Sequence, residues 1–179
     1  MTEAIAQADL DAIAEQLGRP PRGIVEISSR CPSGHPNVVK TEPRLDDGTP
    51  FPTLYYITCP RLAGAIGTLE ASGLMREMTE RVGADEKLAC AYRQAHDAYL
   101  AEREAIGHVP EIAGISAGGM PTRVKCLHVL VGHSLAVGRG VNPLGDEALD
   151  LLGSWWDGNS CGLSPEGDTD RLAEGASES

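Results

Sequence analysis

The chain changes character at Cys59, and that change constrains the fold more than any other feature. Before it, apolar residues come in short extended runs cut by prolines and by an Asp-Gly pair. After it, they recur at the three-to-four-residue spacing of a helix face. Extended segments gathered on one side and helical ones on the other predict an α+β fold. The expectation is a single domain with a small antiparallel sheet of about three strands, packed with four or five helices.

The elements can be placed in turn. Thr2 to Leu17 reads as a short amphipathic helix stopped by Gly18 and Pro20. Gly23–Ser28, Val38–Leu45 and Thr53–Thr58 read as strands. Asp46-Asp47-Gly48 joins the last two, because glycine accepts the positive φ of a hairpin turn. Pro43, Pro50 and Pro52 lack amide donors and belong at edges or bulges. Pro60 then opens a helix to Ala71, followed by helices over Leu74–Arg81 and Asp85–Ala105. A glycine-rich loop spans Glu111–Met120, a strongly apolar helix runs from Pro121 through Val137, and a last helix covers Asp146–Leu152. The expected layout is an N-terminal helix over 1–17, the α+β domain over 18–161, and a disordered acidic tail over 162–179.

Charge narrows the partners. With 15 basic against 26 acidic residues the net charge is −11, which repels nucleic-acid phosphates. The stretch Met1–Leu17 has acids and no bases, unlike a signal peptide, and no apolar run reaches the roughly 20 residues of a membrane helix. The expectation is a cytoplasmic protein with neither nucleic acid nor membrane as partner. In such a compartment the 5 cysteines are thiols or metal ligands rather than disulfides.

Cys90, flanked by alanines within a helix, reads as a small core side chain. The other four stand in distinct settings. Cys31 starts Cys31-Pro32-Ser33-Gly34, a turn like half of a zinc knuckle. Cys59 precedes Pro60 at a helix N-cap, Cys126 lies behind Arg123 and Lys125, and Cys161 follows the Trp155-Trp156 pair. Four thiolates suit zinc or an iron–sulfur cluster. No Cys-x-x-Cys occurs, so such a site has to be gathered from four remote segments; the bland alternative is buried or reactive free thiols. Placed on one helix, Cys126 and His133 share a face while His128 points away. This makes His133 a reserve ligand or acid/base group, and His128 a lesser candidate.

A second constellation favours an anion. In Ser116-Ala117-Gly118-Gly119-Met120-Pro121-Thr122-Arg123-Val124-Lys125 the glycines free backbone amides to turn toward an anion, and a helix start adds partial positive charge. Gly118, Gly119, Arg123 and Lys125, with Arg44 facing the same pocket, would bind a phosphorylated or otherwise anionic small molecule. The structural alternative is a flexible loop ended by a proline-started helix. Whether the chain is an enzyme stays open at this point.

Several blocks of this sequence resemble one bacterial family: Arg30-Cys31-Pro32, Pro43-Arg44-Leu45, Thr53-Leu54-Tyr55-Tyr56, Thr58-Cys59-Pro60, Gly73 to Thr79, Val124-Lys125-Cys126-Leu127-His128 and Asn142 to Glu147. It is the domain of unknown function five-hundred-and-one, common in actinobacteria, and the likeness spans roughly Leu17 to Cys161. The resemblance implies a bacterial cytoplasmic protein with cysteines at the positions of Cys31, Cys59, Cys126 and Cys161. It also implies genes for a division-septum initiator and an exopolyphosphatase-like enzyme nearby. Three functions follow as expectations: a four-cysteine metal-binding domain, an enzyme on an anionic small molecule, or an interaction module of the division machinery.

Overall fold

A computed structural model of the chain describes residues 4–156. Three strands, β1 (Ile24–Arg30), β2 (Pro36–Thr41) and β3 (Tyr55–Ile57), form one antiparallel sheet in the order β1-β2-β3. Among the described residues six α-helices accompany it: α1 (Gln7–Leu17), α2 (Pro60–Glu70), α3 (Leu74–Ala84), α4 (Glu86–Ile106), α5 (Leu127–Val137) and α6 (Pro143–Leu152). This is the α+β arrangement that the sequence predicts. No described helix is long and apolar enough to cross a membrane.

The strands are shorter than the apolar runs suggest, and proline explains it. Pro43, Pro50 and Pro52 cannot donate to a ladder, so beyond Thr41 the pairing thins to one bridge between Arg44 and Pro50. The expected turn stands between them: Gly48 sits at φ +85°, donating its amide to Leu45 O while Leu45 donates to Thr49 O. β1 and β2 are joined by the Cys31–His35 turn, closed by the Cys31 amide on His35 O at 2.9 Å. β2 is central, so Val38, Val39 and Thr41 are all buried.

The helix ends also shift. α1 begins at Gln7 rather than Thr2, and α6 at Pro143, capped by Asn142 rather than Asp146. The largest change is at α5, which starts at Leu127, six residues past Pro121. Residues 121–126 have other partners for their backbone. The amides of Arg123 and Lys125 donate to the carbonyls of Gly119 and Gly118, the Val124 amide to Thr79 Oγ1, and the Tyr92 hydroxyl to Arg123 O. These tertiary bonds replace the first turns of the expected helix.

α5 is apolar on every side and is accordingly buried over most of its length, against the sheet, α2 and α6. Two glycines set its distances. A Cβ on Gly132 would stand 3.0 Å from Tyr55 O on β3. On Gly145 of α6 it would collide with Leu130 O and Ser134 Oγ of α5. From the other side α4 ties down loops: the Tyr99 hydroxyl accepts from Leu54 N–H at 2.6 Å, and buried Arg103 donates to the carbonyls of Pro52, Ile112 and Ile115.

His133 lies where these elements meet. It is fully buried, stacked on Tyr55 at 5.7 Å and edge-on to Tyr99 at 5.2 Å. Asn142 Oδ1 accepts from Gly145 N–H, which leaves its Nδ2 to donate to His133 Nδ1 at 3.2 Å. The ring is therefore the neutral Nε2–H tautomer, and burial pushes its pKa down to about 4.

Two outcomes are expected. Gly145→Ala lowers unfolding free energy by about 2–3 kcal/mol, since backbone on α5 blocks the added methyl. Gly64→Ala, in mid-helix with nothing near its Cβ, raises it by about 0.5–1 kcal/mol; urea titrations of both variants check the contrast. Stability also falls as pH drops from about 6.5 toward 4. In that window the unfolded chain takes up the proton that folded His133 refuses, which costs about 3 kcal/mol at the acid end. His96, likewise lowered by burial, adds to the trend, and in His133→Gln the acid slope measured by urea unfolding is shallower.

Candidate metal centre

Three side chains converge where α2 ends and α5 begins. Cys126 is the N-cap of α5, held extended at φ −154° and ψ 114°, and His128 is in the first turn of that helix. Glu70 is the last residue of α2. One donor atom from each of Glu70, Cys126 and His128 lies within 4.8 Å of the other two, and all three residues are half-buried. Among the described residues this is the grouping of histidine, cysteine and carboxylate side chains compact enough for a metal ion.

Glu70 and His128 are each held by further contacts. Glu70 Oε1 accepts from the Leu127 amide at 2.7 Å, one of the free N–H groups at the start of α5. The same oxygen is 3.1 Å from His128 Nδ1. On the far side of the ring Nε2 is 3.1 Å from Ala63 O, and a carbonyl can only accept, so Nε2 carries a proton and donates. Both ring nitrogens thus face oxygen acceptors. Contact with the Cys126 sulfur, then the hydrogen bond and charge of Glu70, hold the His128 pKa up at about 9 against burial. With Nε2–H fixed on a backbone carbonyl, Nδ1 is the nitrogen that faces Glu70, the orientation that outer contacts give to metal-bound histidines.

The predicted cysteines divide. The structure brings Cys126 into this group, and neither Cys31 nor Cys59 belongs to it. Those two thiols are buried in the core. They leave the sheet at one end, on either side of β2, since Arg30 pairs with Pro36 and the Thr58 amide donates to Asn37 O. Cys161 lies outside the described residues. Cys90, expected in the core, is exposed, because the buried stripe of α4 runs through Tyr92, Ala95, His96, Tyr99 and Arg103.

The anion set does not form a cradle among the described contacts. The carbonyls of Gly118 and Gly119 take the amides of Lys125 and Arg123, and a Cβ on Gly119 would be 2.7 Å from Arg123 O. The loop fills its own concavity. The side chains of Arg123 and Lys125 are exposed, and Arg44 donates to Gly48 O and to Glu111 at 2.6 Å. His133, the reserve ligand, is the core ring described above.

Of this group, Glu70 is the residue that the sequence reading does not single out, and His128 is one that it ranks below His133. A helical wheel started at Pro121 sets Cys126 and His128 on opposite faces, but Cys126 precedes the helix and the wheel does not apply to it. Glu70 leaves a fainter sign: a carboxylate on the last residue of a helix opposes the negative end of the helix dipole, which favours a role outside that helix.

No curated protein and no solved structure matches the chain. One family model, described as a protein of unknown function, matches residues 27–150, a span that holds Glu70, Cys126 and His128 and stops short of Cys161. Since that match covers well over half of the sequence, the chain belongs to the DUF501 family.

Proposed function

We propose that this protein binds a single divalent metal ion, zinc by preference, through Glu70, Cys126 and His128. The observation that carries the reading is the meeting of three donor atoms within 4.8 Å, each side chain oriented by a backbone group or by the helix start. With Zn–S bonds of about 2.3 Å and Zn–N bonds of about 2.0 Å, ligand atoms of a tetrahedral site stand roughly 3.3–3.8 Å apart. Small side-chain rotations close that difference. The metal displaces the proton on His128 Nδ1 and leaves Nε2–H on Ala63 O.

The donor chemistry selects the ion. One thiolate, one imidazole and one carboxylate suit zinc, whereas iron–sulfur clusters call for a set dominated by thiolates. Three protein ligands leave the fourth position free, as in zinc sites that act on a substrate rather than in closed structural ones.

Zinc added to chelator-treated protein is expected to bind at one equivalent, read by competition with a chromophoric chelator, and cobalt in its place gives a thiolate charge-transfer band. Cys126→Ala and His128→Asn each weaken zinc by about a hundredfold or more. Both variants are expected to fold, which circular dichroism checks. Cys31→Ser and Cys59→Ser keep the stoichiometry and the band. A metal lost on changing Cys31 or Cys59 but kept in His128→Asn would overturn the reading in favour of the four-cysteine site.

A further inference from the structure

Two of the three donors, Cys126 and His128, stand on the wall of a cleft of about 310 Å³. Cys126 and His128 line it at one side, and Tyr55, Tyr56 and Ile57 of β3, Ala63 of α2 and Val129 of α5 make up most of the rest. No lysine, arginine or carboxylate is among the lining residues. Glu70 does not reach the cleft wall, so the sulfur and the imidazole are the groups of the triad that meet it.

We infer that this cleft takes a small molecule made of one oxygen-donor head and an apolar chain, the head on the metal and the chain along β3 and Ala63. The inference rests on the zinc reading given above. The head has to be compact and singly charged at most, since the walls offer no cation to a phosphate and only the metal to an oxyanion. The chain has to be aliphatic or aromatic, since what lies beyond Cys126 and His128 is mostly hydrocarbon and ring surface. At roughly 30 Å³ per heavy atom with its hydrogens, the volume holds about ten such atoms. A monocarboxylate of medium chain, or a neutral acyl compound of that size, fits these conditions. A sugar phosphate or nucleotide does not.

A series of straight-chain alkyl hydroxamates, from two carbons to eight, tests this on zinc-loaded protein. Zinc is titrated first on every sample. Affinity is expected to rise about fourfold per methylene and to level off at about six carbons, when the cleft is full. Tyr56→Ala flattens that rise, and the affinity of acetohydroxamate, which has almost no chain, changes less than twofold. A chain-length series that is flat on zinc-loaded wild-type protein overturns this inference alone. So does tighter binding of phenyl phosphate than of the six-carbon hydroxamate. Failure of the protein to hold zinc overturns the metal reading as well, and the preliminary titration registers it separately.

Discussion

The rest of the structure depends on the burial of α5, whose stretch from Val129 to Ser134 lies wholly inside. Its eleven residues carry no charged side chain apart from two histidines, and its apolar surface goes all the way round. Each large aliphatic side chain removed from water there contributes about 1.5–3 kcal/mol, so the helix can only sit inside. A small sheet covers one side, and α2 and α6 have to cover the others. That fixes where the helix begins. Its first turn, with the unpaired amides every helix start carries, is driven against the end of α2, and those amides need an acceptor. Glu70 supplies it.

One carboxylate oxygen therefore serves two helices. On α2 alone it stands at the wrong end of the dipole, at a cost of about 0.3–1 kcal/mol. Across the junction it meets the positive end of α5, the Leu127 amide and the His128 ring. The repulsion within one helix is thus offset by attraction to the next, and the arrangement holds only while the two helices stay docked. The same docking brings the Cys126 sulfur beside the imidazole. A donor cluster at a helix junction follows here from the need to satisfy a buried helix start.

Much of the fold was legible in the sequence. Asp46-Asp47-Gly48 marked the hairpin, Pro60 marked the start of α2, and the long stretch to Ile106 announced α4 by its spacing. The site was legible only in part. Cys126 stood out by residue type, but its geometry hung on whether α5 starts at Pro121 or Leu127. That was decided by contacts to Thr79 and Tyr92 on other helices, which no local pattern carries. Glu70 and Cys126 are more than fifty residues apart, and only the packing of α2 on α5 joins them. In the glycine-rich loop the sequence foretells the conformation: Gly118 and Gly119 adopt positive φ, at +71° and +94°, and their carbonyls accept from the amides of Lys125 and Arg123.

The degree to which the donors are already fixed bears on what a metal would do here. In small zinc domains the ion nucleates the fold, because the unfolded chain has no other core. This chain has a hydrophobic core that runs through α5, β2, α2 and α4, with Cys126 only partly buried against it and Glu70 no part of it. The backbone partners of the ligands, Ala63 O and Leu127 N–H, belong to helices that this core holds in place. On the reading proposed above, a metal would add stability by mass action, as any ligand of the folded state does, and would not be a condition of folding. On that reading a bound ion would supply charge beside a cleft lined mostly by apolar residues. An ion that did so without also holding the fold together would be free to exchange with solvent and to meet a second molecule.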